Sequence, residues 1–157
     1  MPKVDISALP ESNSCGYPAP FHEIASGRFR RRLGNAGGLT QFGVNLCRLE
    51  PGSGSSQRHW HEKEDELIFV VEGEVVLVED EGETVLRAGD AATFKAGVAN
   101  GHQLLNRSDR DALILEVGSR MEGERAVYPD IDMQLVCGPE EDRFLHMDGT
   151  HYPERQE

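Results

Sequence analysis

Residues 59–74 read HWHEKEDELIFVVEGE: two histidines one residue apart, an acidic turn, and then an apolar run that suits a β-strand. In an extended chain, the side chains of residues i and i+2 lie on the same face. His59 and His61 therefore project together, as two imidazoles that bind one metal ion must. Glu66 opens the apolar run and reaches the same face if the two runs are adjacent antiparallel strands. The other carboxylates of the turn are rival ligands that we interpret as solvated: Glu62, Glu64 and Asp65.

A third histidine, His102, begins another strand-like run in GVANGHQLLN, residues 97–106. An antiparallel fold can return this histidine to the first two. Three imidazoles and one carboxylate would form a mixed nitrogen and oxygen site that suits a divalent transition metal ion. We therefore predict one such ion per chain (zinc, manganese, nickel or iron), held by His59, His61, Glu66 and His102. An octahedral ion would keep two positions open for water or substrate.

Short apolar and β-branched runs recur between glycines from residue 39 to residue 118. Strands of this length with frequent turn signals predict an all-β fold, an antiparallel sandwich or barrel. Two glycine-containing stretches within it, VEGE at 71–74 and EDEGE at 79–83, are predicted to be hairpin turns.

The two flanks differ from this core in composition. The first residues are rich in proline and small polar side chains, and the last are polar with proline breaks. We therefore divide the chain into an N-terminal arm, a barrel core, and a C-terminal extension packed on the barrel or on a partner: residues 1–38, 39–118 and 119–157. The arginine cluster GRFRRRLG at 27–34 has two interpretations, a solvated or tail-pairing segment and a phosphate-binding segment.

Composition and charge argue against several classes of partner. The net charge of −12 disfavours nucleic acid and anionic membrane surfaces. The sequence has no apolar stretch of about 18 residues that would span a bilayer, and its N-terminus lacks the apolar segment of a signal peptide. Three widely spaced cysteines suit a reducing compartment better than a disulfide framework, so we expect a cytoplasmic protein.

The motif spacing resembles that of the cupin superfamily. Its first motif, His-x-His, four residues, Glu, six residues and Gly, is matched by His59, His61, Glu66 and Gly73. Its second motif is similar to a set that includes the third histidine: Gly89, Gly97, His102 and Asn106. The resemblance covers residues 40–118 and implies a small double-stranded β-helix, or jelly-roll barrel, with the metal ion bound inside one end by the four predicted ligands. It also implies dimers formed by sheet and arm packing.

Within that superfamily the chain resembles a bacterial single-domain group whose members carry the label of sugar-phosphate isomerase. The stretches that carry this resemblance are LTQFGVNLCRLEPG, QRHWHEKEDE, GVANGHQLLNRSDRDA, LEVGSR and YPDIDM. The resemblance implies an isomerase acting on a phosphorylated sugar, but a shared fold does not by itself fix the reaction.

An open divalent metal ion can polarise a carbonyl group, which is the chemistry of sugar isomerisation and epimerisation. We therefore expect an isomerase-like enzyme that acts on a small polar metabolite. The alternatives are an iron-dependent dioxygenase and a non-catalytic small-molecule-binding or sensor protein.

Gln57 shares a face with His59 and is expected to contact the substrate. Three tail residues are candidates to cover the barrel mouth: His146, His151 and Tyr152. The sequence does not identify the general base that isomerisation needs.

Two runs, LIFVV at 67–71 and VVLV at 75–78, are apolar at every position. A strand that is apolar on both faces is usually covered on both faces. A small barrel has too few elements to supply that cover, so we predict a homodimer with a sheet face or the arm at its interface.

Overall fold

The computed structural model describes residues 3–153. Within that range the chain forms twelve β-strands, a short helix α1 (Leu33–Ala36), and two 3₁₀ helices, Ile6–Ala8 and Phe21–Ala25. The strands, numbered along the chain, are β1 (Arg28–Arg32), β2 (Phe42–Leu49), β3 (Trp60–His61), β4 (Glu66–Glu72), β5 (Glu74–Glu79), β6 (Gly82–Arg87), β7 (Ala91–Phe94), β8 (Gln103–Leu105), β9 (Ala112–Ser119), β10 (Arg125–Tyr128), β11 (Met133–Cys137) and β12 (Asp142–Leu145). None of the described helices has the length and hydropathy needed to cross a bilayer.

The strands form three antiparallel sheets that close into a jelly-roll barrel, which confirms the predicted all-β fold. The largest sheet has five strands in the order β1-β2-β9-β4-β7. The other two have the orders β12-β11-β10-β3 and β6-β5-β8. Because β9 pairs with both β2 and β4, three segments that are far apart in sequence lie side by side in one sheet.

The inward face of the five-stranded sheet changes from apolar to polar along its strands. Cys47, Ile114 and Val70 are in register on β2, β9 and β4, and all three are fully buried. They pack with inward residues of the three-stranded sheet into one apolar cluster: Val75, Leu77, Leu86 and Leu104. This cluster fills one end of the barrel. Further along the same strands, Glu116 and Glu66 face inward and line a cavity.

The sheets extend beyond the segment from residue 39 to residue 118 that the sequence marks as the core. β1 lies inside the expected N-terminal arm and forms an edge of the five-stranded sheet, where Arg30 pairs with Cys47. β10, β11 and β12 lie inside the expected C-terminal extension and make up most of the four-stranded sheet. β1 has arginines at its inward positions, where a half-buried strand usually has apolar residues. The sequence of β1 therefore lacks the alternation of apolar and polar residues that would have predicted a strand.

The two predicted hairpin turns have different outcomes. Residues 79–83 do form a hairpin, in which Glu79 pairs with Gly82 at the end of β5 and the start of β6. Residues 71–74 do not, because β4 and β5 belong to different sheets. Gly73 instead turns a barrel corner with a φ of 77°, and a Cβ atom there would lie 2.9 Å from the carbonyl oxygen of Asp111. Glycine avoids both the unfavourable backbone angle and the close contact.

Candidate metal centre

The side chains of His59, His61 and His102 converge on the carboxylate of Glu66. Their Nε2 atoms lie 3.7, 3.4 and 2.6 Å, respectively, from Oε2 of Glu66. The backbones of His59 and His102 exchange two hydrogen bonds, of 3.1 and 2.9 Å, which fix the two rings on neighbouring chain segments. The structure thus brings all four predicted ligands together.

Glu66 reaches the histidines by a route that differs from the expected one. β3, which carries His61, pairs with β10 in the four-stranded sheet, whereas β4 lies between β9 and β7 in the five-stranded sheet. The expectation that these two runs are adjacent strands is therefore wrong. The acidic turn at 62–65 carries the chain from one sheet to the other, and Glu66 faces the histidines across the barrel interior.

The second ring nitrogen of two histidines is fixed by a hydrogen bond. Nδ1 of His59 donates to the carbonyl oxygen of Gln57 at 2.9 Å, and because a carbonyl only accepts, Nε2 of His59 keeps its lone pair. Nδ1 of His61 lies 3.2 Å from Oε1 of Glu124, a carboxylate that can accept its proton. Both rings therefore present a lone pair toward Glu66, the arrangement that metal-binding histidines need.

Glu124 has a part in the site that the sequence reasoning missed. It is 1% exposed, and besides His61 it accepts the backbone N–H groups of Glu62 and Lys63 at 3.0 and 2.8 Å. A buried carboxylate is tolerated only when hydrogen bonds replace its lost water. Glu124 thus anchors the turn that follows β3 and holds the His61 ring in one orientation.

A divalent transition metal ion fits this donor set. Nε2 of His61 is buried and has no hydrogen-bond partner among the described residues, and the same is true of Nδ1 of His102. The His102 ring is held instead by stacking on Phe94, with centroids 3.6 Å apart and planes 4° apart. An unpartnered buried nitrogen is costly, and coordination would remove that cost at His61. Three imidazole nitrogens and one carboxylate oxygen match the ligand preferences of zinc, manganese, nickel and iron.

Burial and neighbouring charges set the protonation states of these groups. Burial lowers the pKa of His59 to about 4. Burial also acts on His61, but Glu66 and other nearby carboxylates outweigh it, and the pKa of His61 is raised. For Glu66, burial acts in the opposite direction, but the hydrogen bond from His102 and the nearby rings of His61 and His59 outweigh it and hold the pKa of its carboxyl well below the usual range. His59 is therefore neutral and Glu66 ionised near pH 7, the forms in which each binds a metal ion.

The four residues line a cavity of about 710 Å³, a size that accommodates a small metabolite. The side chain of Gln57 is not among its described lining residues, because it donates to the carbonyl oxygen of Phe21 at 2.9 Å. Gln57 acts on the site through its own carbonyl oxygen, which orients His59. The tail residues that were candidates to cover the mouth are also outside the described lining: His146, His151 and Tyr152.

Among the rival carboxylates of the 62–65 turn, Glu64 alone lines the cavity. Its Oε1 accepts the backbone N–H of Met121 at 2.8 Å, and its Oε2 lies 3.9 Å from Nδ1 of His61. Burial raises the pKa of Glu64. His61, Glu64 and Glu124 form a second group of possible metal ligands, but Glu124 is already occupied by two backbone N–H groups. Glu64 is better placed to exchange a proton with a ligand in the cavity.

Arginines of the 27–34 cluster also line the cavity. Arg28, Arg30 and Arg32 occupy alternate positions of β1 and share its inward face. Arg30 forms an ion pair of 2.7 Å with Glu116. The interpretation of this cluster as a tail-pairing segment is confirmed in part, because Arg30 pairs with Ser12 and Arg28 donates to the carbonyl oxygen of Ser14. Arg32 is exposed, whereas Arg28 and Arg30 are not solvated, and the three side chains form one wall of the cavity.

A family comparison and a search of solved structures identify the same family. The Cupin domain family matches residues 45–118. A solved sugar phosphate isomerase of the cupin superfamily from Silicibacter pomeroyi DSS-3 is 44% identical to this chain, with 98% of each chain covered and a TM-score of 0.93. No curated protein matches the chain.

Two further solved structures are similar over most of the chain. A protein from Acidithiobacillus ferrooxidans that is named as a candidate sugar phosphate isomerase is 26% identical, with 83% of this chain and 84% of that chain covered and a TM-score of 0.73. The polyketide cyclase RemF from Streptomyces resistomycificus is 20% identical, with 76% of this chain and 79% of that chain covered and a TM-score of 0.62. At 20% identity, the similarity to RemF concerns the fold alone.

Proposed function

The chain belongs to the cupin superfamily, and on that premise we propose that it is a metal-dependent isomerase of a sugar phosphate. One divalent transition metal ion would be held by His59, His61, Glu66 and His102. The observation that carries the proposal is the convergence of three Nε2 atoms on Oε2 of Glu66, at 2.6 to 3.7 Å, in the wall of a ligand-sized cavity.

The bound ion would supply a Lewis acid that polarises a carbonyl oxygen of the substrate. Aldose–ketose isomerisation then requires a base that takes the proton from C2 and returns it to C1, while the hydroxyl proton moves between the two oxygens. These transfers balance within the substrate, so no oxidant or reductant is consumed. Glu64 is our candidate for the base.

Two contacts and a raised pKa support this role for Glu64. Its Oε1 is fixed by the backbone N–H of Met121 at 2.8 Å, its Oε2 lies 3.9 Å from Nδ1 of His61, and the residue lines the cavity. Burial raises its pKa, which makes the carboxylate a better proton acceptor. Glu62 lies two residues away on the same turn but pairs with Arg125 at 2.7 Å. The turn therefore contains a matched pair of glutamates, one inside the cavity and one outside it.

The test uses the full chain loaded separately with manganese, zinc, nickel or iron(II), supplied with aldose and ketose phosphates in D₂O, with and without oxygen. We expect isomer formation without oxygen, with deuterium incorporated at the carbon that exchanges its proton. Glu64→Gln should lower kcat by about 10²- to 10⁴-fold and keep its metal. Glu62→Gln is the matched control and should retain full activity.

Two results would replace this proposal with a specific alternative. Product formed only with iron(II), together with stoichiometric loss of oxygen, would make the protein a dioxygenase. Saturable binding of a sugar phosphate without turnover under every metal would make it a binding or sensor protein.

A further inference from the structure

The arginines of the described residues fall into two groups. Nine of the twelve form an ion pair with a carboxylate: Arg30, Arg31, Arg48, Arg58, Arg87, Arg107, Arg110, Arg125 and Arg143. The other three are Arg28, Arg32 and Arg120, and all three line the cavity that holds the candidate metal centre. Guanidinium groups without a carboxylate partner are thus concentrated where a ligand would bind.

Two of these three arginines lie toward the open side of the cavity. Arg28 is 5% exposed and donates to the carbonyl oxygens of Ser55 and Ser14 at 2.7 and 3.2 Å, so its donors support the surrounding chain. Arg32 and Arg120 are exposed. Arg32 ends β1 opposite Asn45 of β2, and Arg120 follows directly after β9.

The guanidinium group of Arg120 is held over the sheet. It donates to Oδ1 of Asn35 at 2.9 Å and to the carbonyl oxygen of Leu39 at 3.4 Å. These neutral partners orient the group without cancelling its charge. A Cβ atom placed on Gly43 would lie 3.5 Å from its Nη2 atom, so the guanidinium lies directly above this glycine.

A row of two glycines connects this arginine with the candidate metal centre. Gly43 of β2 is opposite Gly118 of β9, and Gly118 is opposite Glu66 of β4. A Cβ atom on Gly118 would lie 3.7 Å from Cγ of Glu66, which places Glu66 at the other end of the row. Both glycines line the cavity. Gly43 and Gly118 lie one strand spacing apart, about 5 Å. They form a glycine floor, so neither strand places a side chain between the guanidinium group of Arg120 and the carboxylate of Glu66.

We propose that Arg32 and Arg120 bind the phosphate group of a phosphorylated metabolite, whose other end reaches past these two glycines to the metal centre. A phosphate monoester is a dianion that two guanidinium groups match in charge and in hydrogen-bond geometry. This inference rests on the proposed function and names the group by which its substrate is held.

The experiment measures inorganic phosphate binding to the full, metal-free chain by ³¹P NMR titration. We expect one saturable site per chain. Arg32→Gln and Arg120→Gln should each weaken binding at least tenfold, and both side chains are exposed, so the variants should fold. Arg87→Gln is the control, because Arg87 is exposed and outside the cavity lining, and its phosphate affinity should equal that of the wild type.

The inference would be overturned if no saturable phosphate binding occurred, or if the Arg32→Gln Arg120→Gln double variant bound phosphate like the wild type. Acetate binding as tightly as phosphate would also overturn it, because the site would then not distinguish a phosphate group from a carboxylate. Because the metal-free chain is used, these results do not depend on turnover. Phosphate binding without isomerase activity would count against the proposed function alone.

Discussion

Oε1 of Glu124 lies 3.2 Å from Nδ1 of His61, and this contact joins a buried carboxylate to a candidate metal ligand. Hydrogen bonds of this kind orient a histidine ligand and raise its basicity. They allow a residue that touches neither metal nor substrate to control how well the metal is held.

Glu124→Gln should weaken metal affinity about 10- to 100-fold. The amide group has one acceptor oxygen, whereas the carboxylate accepts from His61 and from the backbone N–H groups of Glu62 and Lys63. Chelator competition measures the affinity, and circular dichroism checks the fold. Glu122→Gln, at an exposed position two residues away, is the control. Equal affinity in Glu124→Gln and wild type would remove Glu124 from the site.

His61→Ala should lose the metal ion that wild-type protein retains at about one per chain. Metal binding stabilises the folded state by mass action, so chelation of the wild type should lower Tm by about 10 °C. The variant should already have that lower Tm and not respond to chelator. Metal analysis and thermal denaturation measure both effects, with His151→Ala as the control. Full metal occupancy in His61→Ala would show that the ligands are assigned incorrectly.

His59 should make the metal-free protein less stable as the pH falls from 7 to 5. Burial lowers the folded-state pKa of His59 to about 4, below the ordinary value of 6.5. As the pH falls below 6.5, the unfolded chain takes up this proton first, which favours unfolding by about 2 kcal/mol at pH 5.

Urea denaturation in the presence of chelator, on wild type and His59→Asn, isolates this contribution. The variant should lose about 2 kcal/mol less than the wild type between pH 7 and pH 5. An identical pH dependence in both proteins would mean that His59 takes up its proton in the folded state as readily as in the unfolded one.

The homodimer remains a prediction, and the structure offers a surface for it. Leu67, Phe69 and Val71 point outward from β4 and are 37%, 39% and 44% exposed. Phe69→Asp should give a mass near 17.4 kDa by light scattering, whereas wild type should give twice that value. Val85→Asp, at a similarly exposed position on β6, should remain dimeric. A wild-type mass of one chain would contradict the dimer.

The sequence was sufficient to predict the barrel and to select the residues that meet in it. Period-two patterns put His59 and His61 on one face, and strand-like runs identified Glu66 and His102. The sheet assignment of β3 was not predictable, because a two-residue strand carries no pattern of its own. Pairing with β10, more than sixty residues later, fixes it through tertiary contacts alone.

The charged residues of the cavity were missed for two different reasons. Glu124 lies in a polar segment, and no local pattern indicates that its side chain is buried beneath β3. The β1 arginines did carry a signal, because residues 28, 30 and 32 share a face in any extended chain. A run of consecutive arginines resembles a solvated segment, so its period of two was not used.

The glycine floor joins residues inside the range that the Cupin domain family matches to residues outside it. The candidate metal ligands lie within residues 45–118, the range that the family shares, whereas Arg32, Gly43 and Arg120 lie outside it. With the proposed phosphate site, substitutions at these flanking positions would change which metabolite binds and leave the four candidate ligands in place. On the same proposal, relatives with the same four candidate ligands need not bind the same metabolite, and the residues at positions 32, 43 and 120 would indicate which one each of them binds.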